Sequence, residues 1–219
     1  MSGVPQLYLR WSRNDRPWPE DRLRAGVAAA PAAFRDRLTG YRRWQDRQAG
    51  VLGRLLLNDL YRELLGAAAA AAPAWSVDAY RRPYLPAHPA FDFNISHTDG
   101  LVACVAAVGA GRVGVDVERK GRVDITEFRR VFTGEEYSRL AALPEPAEEF
   151  YRLWTRKEAV MKADGRGFYL DAAGIDCLRE RVVIDGRSYA VRPLVLRAGF
   201  AAHVAADRVG EVRIREWTP

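Results

Sequence analysis

Apolar positions along this chain recur with two different periods, and the switches between them mark out the elements. Residues 6–11, QLYLRW, alternate as a strand does. Residues 20–39 and 41–65 have helical spacing, strongest in VLGRLLLNDLYRELL, whose leucines predict a core-facing helix. Gly66, six alanines and Pro73 then extend that helix or form a connector. After WSVDAYRRPYLP (75–86) come three strand-like runs: FDFNIS, then LVACVAAV behind the Asp99-Gly100 turn, then VGVDVE. Helical spacing returns near 124–141 and 147–163, and late strands are expected at 181–185, 189–196, 200–205 and 211–215. Each half offers a strand, helices and then several strands. The expected class is α+β, built from two similar α+β halves, 1–108 and 109–219.

Composition narrows the setting. With 219 residues and 48% hydrophobic content the chain can bury one large core or two smaller ones. No apolar run approaches the roughly 20 residues that span a bilayer. The start, MSGVPQLYLRWSRNDRPW, carries charges where a signal peptide needs its apolar stretch, so a cytoplasmic protein without membrane contact is expected. Cys104 and Cys177 lie in apolar contexts without CxxC spacing, which fits a reducing compartment and not a nucleophile. A net charge of +6 points to an acidic partner or ligand. Zinc spacing, a Walker loop, a GxSxG elbow and a dinucleotide GxGxxG are all missing from the sequence.

The candidate chemistry sits in three short blocks. The chain writes nearly every cation as arginine; its three lysines are Lys120, Lys157 and Lys162, and two of them flank Glu158 in FYRLWTRKEAVMKADGRGFY (150–169). A compact ammonium can sit beside a carboxylate at a reacting centre, where the wide guanidinium fork cannot. Glu158 and Lys162 are i,i+4 and share a helix face with Trp154, although an ordinary surface ion pair has the same spacing. In VGVDVE, Asp116 and Glu118 point the same way from a valine-rich strand, about 7 Å apart. With Glu158 they make three hard oxygen donors, a set suited to Mg²⁺; a solvated strand face is the plainer alternative. Asn94, Ser96 and His97 close the FDFNIS strand, with His97 as a phosphate contact or a structural histidine.

Together these blocks resemble the 4′-phosphopantetheinyl transferases, in particular the long, pseudodimeric type that activates surfactin-like peptide synthetases. The resemblance rests on Asn94-Ile95-Ser96-His97, on Gly114-Val115-Asp116-Val117-Glu118, and on Trp154 through Lys162 with the trailing Gly165-Arg166-Gly167. It implies pseudo-two-fold symmetry with the active site between the halves. Coenzyme A would bind mainly to residues 1–108, and the metal and catalytic residues would come from 109–219. The implied reaction moves the phosphopantetheine arm of coenzyme A to a serine of an acyl or peptidyl carrier protein and releases adenosine 3′,5′-bisphosphate. By the same resemblance Asp116, Glu118 and Glu158 hold Mg²⁺, Glu158 is also the base, and Lys162 steadies the pyrophosphate charge. Ser96 and His97 meet coenzyme A phosphates, and Arg82-Pro83 takes the place of a Lys-Pro pair lining the adenine. Relatives often carry an arginine for the 3′-phosphate where this chain has Ala49, so Arg47 or Arg54 is expected to substitute, with Arg42 and Arg43 as further candidates. An acidic carrier would dock near 119–132, where Arg119, Lys120, Arg122, Arg129 and Arg130 surround Ile125, Phe128, Val131 and Phe132. A monomer that binds no nucleic acid is expected. Two other readings remain: a metal-dependent nuclease built on Asp99 and Glu118-Arg119-Lys120, and a non-catalytic coenzyme A or carrier-binding module.

Overall fold

A computed structural model describes residues 5–66 and 73–218; the alanine tract at 67–72 lies outside the described residues. In chain order the elements are β1 (Leu7–Asn14), α1 (Glu20–Ala28), α2 (Ala32–Thr39), α3 (Trp44–Leu65), β2 (Ser76–Val77), β3 (Pro83–Tyr84), β4 (Phe91–Thr98) and β5 (Gly100–Val108). There follow β6 (Val113–Arg119), α4 (Gly134–Ala141), α5 (Ala147–Asp164), β7 (Arg181–Ile184), β8 (Arg187–Pro193), β9 (Phe200–Ala206) and β10 (Val212–Glu216). The α+β class is as expected. Two helical expectations need correction. The stretch 20–39 is two helices, because Pro31 has no N–H to donate and instead occupies the N-cap of α2. The stretch 124–141 holds only one 3₁₀ turn, Ile125–Phe128, before α4, which Thr133 and Glu136 open with a reciprocal capping box.

Two four-stranded sheets run β10-β1-β5-β4 and β6-β9-β8-β7. Within each sheet one strand pairs antiparallel with the last of a hairpin, β1 with β5 and β6 with β9, so the order β1-β5-β4 is repeated as β6-β9-β8. β10 crosses back to pair parallel with β1.

Alternation then builds the layers. Leu101, Ala103, Val105 and Ala107 of β5 face Val113, Val115 and Val117 of β6 and Val204 of β9, a core between the sheets. Val102, Cys104 and Ala106 face the other way, onto Leu52, Leu56 and Leu60 of α3. On the far side Ala159, Val160 and Ala163 of α5 pack against Tyr189, Val191 and Ala205. The order is helix, sheet, sheet, helix. Gly114 lets α5 come close to β6: a Cβ there would lie 2.2 Å from the Ala159 carbonyl oxygen and 2.4 Å from the Ala163 nitrogen, both backbone atoms. Among the described residues no helix is long and apolar enough to cross a membrane.

Candidate active site

The close approach of α5 to β6 brings the sequence's acids together. Val113, Val115 and Val117 turn into the sheet–sheet core, which obliges Asp116 and Glu118 to face α5. Asp116 is 2% exposed and Glu158 9%, so burial rules out a solvated strand face and an ordinary surface pair alike. Lys162 Nζ reaches Asp116 Oδ1 at 2.6 Å and Ser96 Oγ at 3.0 Å. Glu118 accepts from Thr98 Oγ1 at 3.2 Å and from Trp154 Nε1 at 3.4 Å.

Three acids against one lysine leave the cluster crowded with negative charge. Desolvation, with Asp116 and Glu118 adding repulsion that Lys162 only partly relieves, pushes the Glu158 carboxyl up to about 7. Burial and then Asp116 raise Glu118 in the same direction. Desolvation works against the charge of Lys162, but Asp116 and Glu158 prevail and its pKa rises. The donor set is all hard oxygen, and Asp116 Oδ2 is buried without a hydrogen-bond partner. An orphaned buried carboxylate oxygen fits a divalent cation of the magnesium type. Among the described residues no three acidic, histidine or cysteine groups are drawn together tightly enough to hold an ion as they stand.

Beside this cluster His97, at the end of β4, opens onto a cleft of 540 Å³. Phe34, Trp75, Pro83 and Ile95 give it apolar walls, Arg37 and Arg81 give it positive charge, and His97, whose pKa desolvation and Lys162 push down, adds a neutral imidazole. Arg37 and Arg81 had no distinguishing signal in so arginine-rich a chain. Arg47 and Arg54 do not line this cleft: Arg47 donates to the Tyr41 carbonyl, and Arg54 lies 5.8 Å over the Trp75 ring. Arg42 and Arg43 are exposed, and Arg43 pairs with Asp99 at 2.6 Å. Arg82 turns inward, unlike its neighbour Arg81. Its guanidinium binds Asp92 at 2.6 Å, the Val113 carbonyl at 2.8 Å and the Lys162 carbonyl, clamping β4 and β6 to the end of α5. A larger cleft of 960 Å³ opens at the Phe91–Asp92 end of β4; the clustered acids line neither cleft, and the smaller one is the better candidate because His97, next in sequence to Ser96, brings it up to them.

Lys157 does not join the cluster. It points to the opposite side of α5, 1% exposed at the side chain, and pairs with Glu136 at 2.9 Å. Asp99 and Lys120, which the nuclease reading requires beside Glu118, are paired with Arg43 and Glu148. Around 119–132, Phe132 is buried and Phe128 packs on Phe150 and Trp154 at ring distances of 4.8 and 5.4 Å, while Arg119, Arg122, Arg129 and Arg130 are exposed. Burial raises both cysteine thiols, Cys177 to about 12, which leaves neither as a nucleophile.

Comparison with known proteins bears on this arrangement. Residues 112–195 match the model of the 4′-phosphopantetheinyl transferase superfamily. A 4′-phosphopantetheinyl transferase of Bacillus subtilis is 32% identical over 179 residues, covering 78% of this chain and 75% of the relative. The 4′-phosphopantetheinyl transferase Sfp of Bacillus subtilis strain 168 is 33% identical over 115 residues, 52% of this chain and 49% of that protein. The human L-aminoadipate-semialdehyde dehydrogenase-phosphopantetheinyl transferase is 29% identical over 186 residues, 75% and 58% of the two chains.

Proposed function

This chain belongs to the 4′-phosphopantetheinyl transferase superfamily, and from that premise we propose a specific reaction and a role for each clustered residue. The chain transfers the 4′-phosphopantetheine arm of coenzyme A to a serine of an apo acyl or peptidyl carrier protein. The serine oxygen forms the new bond to phosphorus, the pyrophosphate P–O bond breaks, and adenosine 3′,5′-bisphosphate leaves with the bond's electron pair. The observation that carries this reading is the cluster itself: Glu158 is a buried carboxyl held with Asp116, Glu118 and Lys162 where α5 comes close to β6. Mg²⁺ bound beside it would offset the repulsion that raises this carboxyl in the metal-free protein, leaving Glu158 ionised to accept the serine proton.

Asp116, Glu118 and Glu158 would hold Mg²⁺, which when bound offsets charge on the pyrophosphate oxygens. Lys162 faces the same oxygens as a compact cation and steadies charge as the bond breaks. The 540 Å³ cleft suits the nucleotide end of coenzyme A: Trp75, Pro83 and Ile95 offer flat apolar walls, and Arg37, Arg81 and His97 offer the anion contacts. The carrier would approach the face at 119–132 through its exposed arginines, with the phenylalanines serving as core beneath them. A monomer acting in the cytoplasm fits a site completed by the two halves of one chain.

The test is to incubate the protein with coenzyme A, Mg²⁺ and an apo carrier protein, and separately with plasmid. A carrier mass gain of one phosphopantetheine group supports the proposal. An unmodified carrier, whether or not the plasmid is nicked, overturns it.

A further inference from the structure

The edges of the two sheets meet along β4 and β6, and side chains join them where a backbone ladder would normally run. Every second residue of β4 accepts an N–H from every second residue of β6. Asp92 Oδ2 accepts from Val113 N at 2.6 Å, Asn94 Oδ1 from Val115 N at 2.9 Å, Ser96 Oγ from Val117 N at 3.4 Å and Thr98 Oγ1 from Arg119 N at 3.3 Å. The offset is 21 residues at each rung. Carboxylate and amide oxygens make the first two rungs, and hydroxyls make the last two.

The change of chemistry coincides with the acids. A carboxylate can only accept, whereas a hydroxyl accepts and also donates one proton. Ser96 uses that proton on Asp116 Oδ1 at 2.9 Å, and Thr98 uses its own on Glu118 Oε2 at 3.2 Å. The Ser96 hydroxyl is then fully engaged: it receives from Val117 N and Lys162 Nζ and donates to Asp116. We infer that Ser96 and Thr98 are positioning residues for the transfer reaction. Each hydroxyl is anchored on the backbone of β6 and holds the carboxylate that β6 presents, so the seam between the halves sets where Asp116 and Glu118 sit. Partners of this kind, behind metal-ligating carboxylates, typically change metal affinity by about 10- to 100-fold when removed.

The inference rests on the reading of Asp116 and Glu118 as metal ligands, and Thr98 tests it cleanly because it is only half-buried and Thr98→Val keeps its shape. The 219-residue chain is titrated with Mn²⁺, read by the electron paramagnetic resonance of the free ion, as wild type, Thr98→Val, Thr98→Ser and Asp116→Asn. The expectation is binding in wild type, loss in Asp116→Asn, weakening of about 10- to 100-fold in Thr98→Val, and recovery in Thr98→Ser, whose hydroxyl is restored. Wild-type affinity in Thr98→Val, or equal weakening in Thr98→Val and Thr98→Ser, overturns the positioning role while the loss in Asp116→Asn upholds the ligand reading. Absence of binding in wild type overturns both.

Discussion

Replacing Lys157 by Met should unfold this protein readily without touching its chemistry. The Lys157 ammonium has three protons and three acceptors: Glu136 Oε2 at 2.9 Å, the Ala172 carbonyl at 2.8 Å and the Ile175 carbonyl. Glu136 in turn accepts from Thr133 N and Cys177 N, both at 2.8 Å, so one buried pair ties α4, α5 and the 172–177 loop together. Methionine fills the volume but leaves a fully buried carboxylate without its cation and the Ile175 carbonyl without its ammonium donor, while the Ala172 carbonyl keeps the Ile175 N–H at 3.2 Å. Breaking a buried pair from one side costs about 3–5 kcal/mol, against about 0–1 kcal/mol for an exposed one. Adding Glu136→Gln removes the stranded charge and should return part of that loss, although the amide cannot reproduce both acceptors. Urea unfolding of the single and double variants measures the coupling, and single-turnover transfer at low temperature measures the folded fraction. A loss under about 1 kcal/mol refutes the buried-pair argument. Transfer abolished at unchanged stability would place Lys157 in the chemistry.

Three shorter predictions follow from other parts of the molecule. Gly114→Ala should destabilise by at least the ~1–3 kcal/mol of an overpacked core, since its Cβ would meet backbone atoms of Ala159 and Ala163 at 2.2 and 2.4 Å; an unchanged urea midpoint contradicts the close approach. His203 is buried with Nδ1 2.7 Å from Thr155 Oγ1, and desolvation pushes its pKa down from 6.5 to about 3. The unfolded chain therefore binds more protons between those values, so its contribution is complete above about 6.5 and is lost as pH falls toward 3; His203→Asn should flatten that part of the stability–pH curve, and an unaltered slope argues against it. Arg129→Glu with Arg130→Glu should raise the KM for the carrier in a salt-dependent way and barely move that for coenzyme A; equal effects on both substrates discount docking there.

The fold was legible wherever one period ran uninterrupted. The leucines of α3 and the valines of β6 announced both their elements and their buried faces. Strand alternation put Asp116 and Glu118 on one face and helical spacing put Glu158 and Lys162 on another, because these are local rules; the close approach at Gly114 is what makes the two faces meet. Contacts between distant segments were not legible. The alternation of Asp92, Asn94, Ser96 and Thr98 is visible in the sequence, but an alternating polar face ordinarily means water, and only β6 shows what it meets. Lysine scarcity pointed to Lys162 and Lys157 alike. Both need a compact ammonium, one in the acid cluster and the other inside a cage of oxygen acceptors. Arg81 and Arg82 look interchangeable as residues, and the turn decides which faces the cleft.

Metal-dependent transfer by Asp116, Glu118 and Glu158, with Glu158 as base, is the step on which every proposed role turns. Its most direct test is the single-turnover rate of carrier mass gain at saturating coenzyme A and carrier, across a Mg²⁺ titration, in wild type and in Glu158→Gln with its folding verified. A Mg²⁺-dependent rate is expected in wild type, with a fall of at least about 10²-fold in Glu158→Gln at every Mg²⁺ concentration. A Glu158→Gln rate close to wild type, or a wild-type rate indifferent to Mg²⁺, would contradict it.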